Sequence, residues 1–174
     1  MPVFSVPRLS GAARVLGVLG AVGALTLSGS PAVAVGEGSG DTHCVTVVDG
    51  LEPGQKTSRV MSRKCFSGPG AAERADGAVS AAAAGTELMI WSEHANYGGV
   101  YDRIYGYDGP CDAAGYAFTP STWWQQRLSS FQVHGGCNRS YASGPRGNGS
   151  FYGQVPYVGN TLNDAVSYIK VWNG

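Results

Sequence analysis

Short runs of apolar residues recur along this chain, and several of them alternate apolar and polar positions with a period of two. Alternation of that period is typical of β-strands with one buried face. Glycine separates the runs, and its 27 copies supply many turns. The runs predict strands at residues 44–48, 58–66, 88–91, 128–134 and 165–172. Short strands joined by glycine-rich turns favour an all-β sandwich.

The first apolar run is of a different kind, because two arginines precede it and small residues follow it. Arg8 and Arg14 come before an apolar stretch over residues 15–27, and residues 32–34 are Ala, Val and Ala. This order predicts a secretory signal peptide over residues 1–34. An uncleaved N-terminal anchor is the alternative, although the stretch is short for a helix that spans a bilayer. We therefore expect a secreted, extracellular protein without a membrane span after cleavage.

The remaining residues divide into three parts by composition. Residues 35–66 contain the first two predicted strands, which a turn at Asp49-Gly50 would join into a hairpin. Residues 67–86 are dominated by alanine and glycine, and they suit either a flexible linker or a short helix packed on the domain. Residues 87–174 hold all four tryptophans. This last part is therefore the predicted core-forming domain.

Charge excludes two classes of protein. Twelve Lys and Arg balance twelve Asp and Glu, and only 14% of residues are charged. No basic excess exists to neutralise phosphates, so we expect no nucleic-acid partner. The four tryptophans, nine tyrosines and five phenylalanines need burial, which argues against an acidic disordered chain. Removal of the predicted signal peptide takes away two arginines and leaves a weakly acidic protein.

Four cysteines follow the predicted signal peptide, and export to an oxidising compartment favours two disulfides. Three pairings are open. The low-complexity stretch between the two pairs of cysteines favours Cys44–Cys65 and Cys111–Cys137. Neither spacing is that of a CxxC zinc or redox motif.

Two segments of the core-forming domain resemble each other. Residues 123–133 align with residues 161–171 at an offset of 38, which brings Ser129 onto Ser167. A repeat of about this length indicates two copies of one supersecondary unit. Two four-stranded Greek keys would pair into a β-sandwich.

The residues at the repeat resemble signatures of the βγ-crystallin family. Each Greek key of that family carries an aromatic residue, a second aromatic five positions later and a Gly two positions further on. Tyr97 and Gly99 match this signature, with Ser92 at the first aromatic position. The second family signature is Asn/Asp-Asn/Asp-x-x-Ser/Thr-Ser. Residues 163–168 match it except for Tyr168 at the final Ser, and residues 125–130 match it in their two serines. The resemblance covers residues 87–174 and implies a sandwich of two βγ-crystallin-type Greek keys, preceded by the small disulfide-bridged hairpin.

More narrowly, the chain looks like secreted actinobacterial crystallin-type proteins that are grouped with a metalloproteinase inhibitor family. Residues 91–99, residues 109–112 and the paired Ser motifs carry this likeness. Some relatives of that group are similar to killer toxins. The resemblance therefore implies recognition of a secreted protease, with an antagonistic toxin or a purely structural extracellular protein as alternatives.

The resemblance also implies a weak Ca²⁺ site at one end of the sandwich. Its ligands would be Asn163, Asp164, Ser167, Ser129 and the region of Glu93, which offer the oxygen atoms that Ca²⁺ prefers. In the first copy, however, glutamines stand at both acid or amide positions and bring no charge. Alternatively, the two serines cap turns and the Asn-Asp pair shapes a loop.

Two other features are candidates for a binding surface. Residues 141–153 are rich in glycine, and Pro145 and Arg146 lie within the predicted loop, which would be either an inhibitory loop or a long Greek-key loop. Trp123 and Trp124 are adjacent, and neighbouring side chains of a strand point to opposite faces. We expect one of them in the core and the other exposed, either as a binding platform or as packing.

Catalysis has little support in the sequence. The chain has three histidines and no HExxH, GxSxG or P-loop pattern. Oxidised cysteines would leave no thiolate nucleophile. We expect a monomeric, non-enzymatic, secreted protein without catalytic residues and without a required cofactor.

Overall fold

The computed structural model describes residues 41–78 and 85–174. The predicted signal peptide at residues 1–34 lies outside the described residues, as do residues 35–40 and 79–84. No helix within the described part of the chain is long and apolar enough to cross a membrane.

Nine strands and three short helical segments follow one another along the described part of the chain. The strands are β1 (Thr42–Val48), β2 (Val60–Ser67), β3 (Thr86–Ser92), β4 (Tyr101–Gly106), β5 (Tyr116–Phe118), β6 (Ser130–Val133), β7 (Arg139–Gly144), β8 (Gly147–Tyr152) and β9 (Tyr168–Trp172). The helices are α1 (Ala71–Ala78), α2 (Thr122–Gln125) and one 3₁₀ turn (Ala95–Tyr97).

The strands form two sheets, and each of two Greek keys contributes to both. The order is β2-β1-β4-β3-β6 in the first sheet and β5-β9-β7-β8 in the second. Strands β3, β4 and β6 lie in the first sheet, but β5, the third strand of that key, pairs with β9 of the other key. In return, Val155 of the second key bridges to Phe131 in β6. This exchange confirms the predicted sandwich of two paired Greek keys.

The core lies between the sheets and follows the alternation of the strands. In β9, Ile169 and Val171 are fully buried, while the residues between them face away. Leu88, Phe131 and Leu128 are also fully buried. The core therefore takes every second residue of this strand, as a period of two requires.

The predicted N-terminal hairpin forms, and it extends the first sheet. Strand β1 pairs with β2 and also runs parallel to β4, from Val45 opposite Arg103 to Val48 opposite Gly106. An isolated two-stranded hairpin is marginally stable in water. Pairing with β4 gives this hairpin a third strand and a hydrophobic face.

The alanine-rich segment contains helix α1, which packs on the outer side of the hairpin. Ala75 is fully buried and clusters with Val45 and Tyr105. Asp76 on the same helix accepts hydrogen bonds from the Tyr101 hydroxyl and from Arg103, both at 3.0 Å. Of the two alternatives for this segment, residues 71–78 therefore take the helical one.

Both predicted disulfides are present. Cys44 and Cys65 lie directly opposite each other in the β1–β2 ladder, and Cys111 pairs with Cys137. Crosslinks that close loops of this size contribute about 2–4 kcal/mol each. The first ties the hairpin closed, and the second ties the loop after β6 to the loop before β5.

Two local predictions were wrong. Residues 141–153 do not form a loop, because β7 and β8 pair along their whole length and leave only Pro145 and Arg146 in the turn. Gly144 allows the end of β7 to approach the backbone at Ala165, since a Cβ on Gly144 would lie 1.7 Å from the Ala165 carbonyl oxygen. Trp123 and Trp124 lie in helix α2, not in a strand.

Candidate functional site

Four of the five predicted cation ligands lie around one pocket at the end of the sandwich. Glu93, Ser129, Asn163 and Asp164 line a volume of about 350 Å³. The hairpin after β3 supplies Glu93, and the two repeat segments supply the other three. Ser167, the fifth, does not line this pocket.

The loop after β3 brings Glu93 to the pocket through backbone conformations that most residues avoid. Asn96 and Tyr97 have φ of 56° and 65°, and Gly99 has φ of +75°. A Cβ on Gly99 would lie 2.9 Å from the His94 ring, so only glycine fits the fold of this loop. The glycine of the hairpin signature therefore allows the chain to fold over at this point.

Arg127 places a positive charge in the pocket. Its Nη1 lies 3.0 Å from Glu93 Oε1, and its guanidinium stands 4.8 Å above the Trp123 ring. The Glu93 carboxylate is 17% exposed, so the ion pair is partly shielded from water. A second arginine, Arg146, donates to the Asn163 carbonyl on the other wall.

The remaining carboxylate of the pocket is engaged with its neighbour. Asn163 Nδ2 donates to Asp164 Oδ2 at 2.7 Å, and the Asp164 backbone has φ of 55°. No group of three His, Cys, Asp or Glu side chains that could hold a metal ion occurs within residues 41–78 and 85–174. Because Arg127 already neutralises Glu93, the residues present do not fit a Ca²⁺ ion.

Ser167 lies at the corresponding position of the second Greek key, where it is bonded to strand β7. Its backbone N–H and its hydroxyl both donate to the Ser143 carbonyl, at 2.8 and 3.3 Å. The hairpin there turns over two residues, whereas eight residues separate β3 from β4. A turn of two residues has no room for the folded hairpin that carries Tyr97 and Gly99 in the first copy. Gln125 is also engaged, since its amide donates to the Pro120 carbonyl at 2.9 Å.

One of the adjacent tryptophans lies in the core and the other at the surface, as predicted, although both belong to a helix and not to a strand. Ser121 caps α2 by accepting from the Trp124 N–H. Trp124 is 2% exposed and Trp123 is 42% exposed. The two rings meet edge to face at 4.9 Å between centroids. The buried ring and the Arg127 guanidinium therefore hold the exposed ring from two sides.

Asp102, which was not among the residues predicted from the sequence, anchors this region. The carboxylate is fully buried and accepts from Trp124 Nε1 at 2.7 Å, from the Cys44 N–H at 2.6 Å and from Arg63 at 3.2 Å. Burial raises the pKa of Asp102, while the Cys44 N–H, the Arg63 charge and the Trp124 N–H oppose that rise. An acidic residue at an inward position of a strand was the signal that could have identified it.

A groove runs between this anchor and the N-terminal hairpin. Thr42, Arg63, Ser121 and Trp123 line its volume of about 240 Å³, together with the Cys44–Cys65 disulfide. Strand β2 lies at the edge of its sheet, and nearly all of its residues are exposed. The groove therefore combines an exposed aromatic ring, a guanidinium group and an open strand edge.

Two buried tyrosines elsewhere in the structure donate hydrogen bonds within the fold. Burial raises the pKa of Tyr105, and a hydrogen bond from its hydroxyl to Glu87 raises it further. Burial likewise raises the pKa of Tyr116 to about 12, and the Tyr116 hydroxyl donates to the Gly109 carbonyl. No cysteine in the described part of the chain is free.

Comparison with known proteins gives only distant structural likeness. No model of a protein family matches the chain, and no curated protein matches it. A βγ-crystallin domain from Clostridium beijerinckii is similar over 49% of this chain and 97% of its own length, with 18% identity and a TM-score of 0.35. A double mutant of such a domain from that organism shares 20% identity over 49% and 96%, with a TM-score of 0.36. A clostrillin double mutant in complex with nickel is similar over 49% of this chain and 98% of its own length, with 18% sequence identity and a TM-score of 0.37.

The exchange of third strands between the two keys defines the chain as a crystallin-type Greek-key sandwich. That assignment depends on the strand pairing of this chain.

Proposed function

We propose that this chain is a non-enzymatic extracellular recognition protein, which inhibits a secreted protease by docking through Trp123 and the groove beside it. The observation that carries the proposal is the 42% exposure of a tryptophan ring that its neighbours hold in place. Tryptophan is enriched among the residues that dominate binding energy at protein interfaces. Two disulfides suit the oxidising compartment in which secreted proteases act.

Rigidity supports the choice of an inhibitor. An inhibitor that is already ordered loses little conformational entropy when it binds. The Trp124 ring lies at one side of Trp123, with the Arg127 guanidinium 4.8 Å from the Trp123 ring. Asp102 in turn holds the Trp124 indole through a buried hydrogen bond. The exposed ring is therefore presented on a fixed support.

The turn at Pro145 and Arg146 has a smaller place in this proposal. A protease cleft binds an extended segment, whereas these two residues form the tight end of the β7–β8 hairpin. Arg146 is also held by the Asn163 carbonyl. We therefore assign the docking role to Trp123 instead of this turn.

A panel of secreted metalloproteases, with serine and cysteine proteases beside them, tests the proposal. The full chain is expected to slow at least one metalloprotease at a near-stoichiometric ratio. Trp123→Ala should weaken that inhibition by about 30-fold, which corresponds to about 2 kcal/mol for a residue of this kind. Tyr157→Ala is the matched control, because the ring of Tyr157 is 43% exposed on another part of the surface.

Two results would contradict the proposal. Unchanged proteolysis across the whole panel would remove inhibition as the function. Equal loss of inhibition in Trp123→Ala and Tyr157→Ala would remove Trp123 as the docking residue. Growth suppression of yeast or neighbouring bacteria by a protein that inhibits no protease would instead support an antagonistic toxin.

A further inference from the structure

The outer face of the four-stranded sheet carries aromatic and basic side chains. Ser140, Ala142, Ile169 and Val171 are fully buried, so the residues between them in β7 and β9 point away from the core. On β8, Phe151 packs inward on Phe131, and its neighbours therefore point outward. The side chains that share this outer surface, here called the aromatic face, are Tyr141, Tyr152, Tyr168, Trp172, Arg139 and Lys170.

Strand register arranges the aromatic face in rows. Arg139 lies opposite Tyr152 on one side and opposite Trp172 on the other. In the next row Tyr141 lies opposite Lys170. Because neighbouring strands are about 4.8 Å apart, Tyr152 and Trp172 stand about 10 Å from each other with the guanidinium between them. The row thus offers two rings separated by one positive charge.

The cations of this face are held against its rings. The Arg139 guanidinium lies 4.8 Å from the centre of the Tyr152 ring, and the Lys170 ammonium lies 5.7 Å from the centre of the Trp172 ring. Tyr152 is 67% exposed. A depression of about 280 Å³ lies among Arg139, Tyr152 and Trp172, which is room for one sugar ring. Arg139 Nε donates to the Gly174 carbonyl at 3.2 Å, which leaves its two Nη groups to meet a ligand beside the exposed Tyr152 ring.

The charge of this face differs from that of the whole chain. The described strands β5, β7, β8 and β9 contain Arg139 and Lys170 but no Asp or Glu. The complete chain has no net charge. A local positive surface on a neutral protein attracts an anionic ligand by complementarity.

We infer that the aromatic face binds an anionic polysaccharide. The apolar C–H faces of pyranose rings stack on exposed aromatic rings, so Tyr152 and Trp172 would take two linked sugars. A carboxylate or sulfate of the polymer would pair with the Arg139 guanidinium between them, and a second with Lys170. Flat stacking surfaces and spaced cations suit a polymer whose rings and charges repeat.

A single-stranded nucleic acid also has rings and anions, but the face suits it less well. Proteins that bind such strands follow the backbone with a basic groove, and their affinity increases with the number of phosphates neutralised. Only two cations lie in the described strands of this sheet. The disulfides also indicate an oxidising compartment, where matrix and cell-envelope polysaccharides are found.

Native gel electrophoresis with polymer in the gel tests the inference on the full chain. Polygalacturonate and alginate serve as anionic polysaccharides, dextran as the neutral one and poly(dT) as the nucleic acid. We expect retardation by at least one anionic polysaccharide, none by dextran, and loss of retardation at high salt. The double variant Tyr152→Ala/Lys170→Gln should lower the affinity by about tenfold or more.

A matched double variant guards against general effects. Tyr107→Ala/Lys56→Gln removes one exposed ring and one exposed cation outside the aromatic face. Its binding should equal that of the wild type. The single variant Tyr152→Ala, at the most exposed ring, provides a second measurement that does not depend on Lys170.

Three results would overturn the inference. These are no retardation by either anionic polysaccharide, equal losses in the two double variants, or tighter binding of poly(dT) than of the polysaccharides. The aromatic face shares no residue with the groove at Trp123. Protease inhibition and polysaccharide binding can therefore fail independently.

Discussion

Replacement of Asp102 by alanine should weaken the attachment of the N-terminal hairpin to the sandwich and so lower the free energy of unfolding. The carboxylate accepts from Cys44 in β1, from Arg63 in β2 and from Trp124 in α2. Asp102→Ala leaves the Cys44 N–H and the Trp124 indole N–H without a partner, and each such buried donor costs about 1–3 kcal/mol. Arg63 is 38% exposed and can return to water, so its share is small.

We expect Asp102→Ala to lower the free energy of unfolding by about 3 kcal/mol. In a domain of this size, that loss corresponds to a fall in Tm of about 10 °C. Urea unfolding and thermal unfolding, both followed by tryptophan fluorescence, measure the change. Asp76→Ala is the control, because Asp76 is half exposed in its ion pair with Arg103 and should cost less than about 1 kcal/mol.

The dependence on pH gives an independent check of the same carboxylate. Burial raises the pKa of Asp102 in the folded state above its ordinary value of 3.8. Between those two pKa values the folded protein holds more protons than the unfolded chain, so its stability falls as the pH rises through that window. The advantage of the wild type over Asp102→Ala should therefore widen as the pH is lowered from 7 toward 4.

Two outcomes would refute this reasoning. A loss no larger than that of Asp76→Ala would mean that the carboxylate does not anchor the hairpin. An advantage that shrinks on acidification would mean that the ion pair with Arg63, and not burial, dominates the pKa of Asp102.

Three further predictions concern the pocket, a glycine and a disulfide. Millimolar Ca²⁺ should leave the Tm of the wild type unchanged but raise the Tm of Arg127→Ser by a few degrees, because the variant frees the Glu93 carboxylate. Calorimetric titration of both proteins checks this expectation. Heat of Ca²⁺ binding from the wild type alone would contradict the conclusion that Arg127 keeps Ca²⁺ out of the pocket. Gly115→Ala should cost more than about 2 kcal/mol in chemical unfolding, since the Gly115 Cβ would lie 2.1 Å from the Val171 carbonyl oxygen at φ of +70°; an unchanged midpoint would refute the close approach. Cys111→Ser/Cys137→Ser should lose about 2–4 kcal/mol of stability in chemical unfolding, and wild-type protein under reducing conditions should lose more, because reduction also opens the Cys44–Cys65 bond; a variant as stable as the oxidised wild type would contradict this role.

The sequence by itself located five of the nine strands in the described part of the chain, namely β1, β2, β3, β6 and β9. Alternation with a period of two predicted a strand over residues 165–172, and the structure has β9 at Tyr168–Trp172. Ile169 and Val171 share its buried face, because successive side chains of a strand point to opposite sides. The offset of 38 residues indicated two copies of one unit, and the low-complexity stretch separated the cysteines into the pairs that form.

Only the tertiary structure decided which strand edges meet and which charges they bring together. Val45 pairs with Arg103 across 58 positions of sequence, and local patterns do not specify such partners. That pairing buries Asp102 beside Arg63. The Greek-key exchange likewise brings the repeat segments to one pocket, where Arg127 meets Glu93. Strand order makes neighbours of charges that are remote in the sequence. The sequence therefore located the candidate ligands of the pocket, but it did not show that the Arg127 guanidinium pairs with Glu93 there.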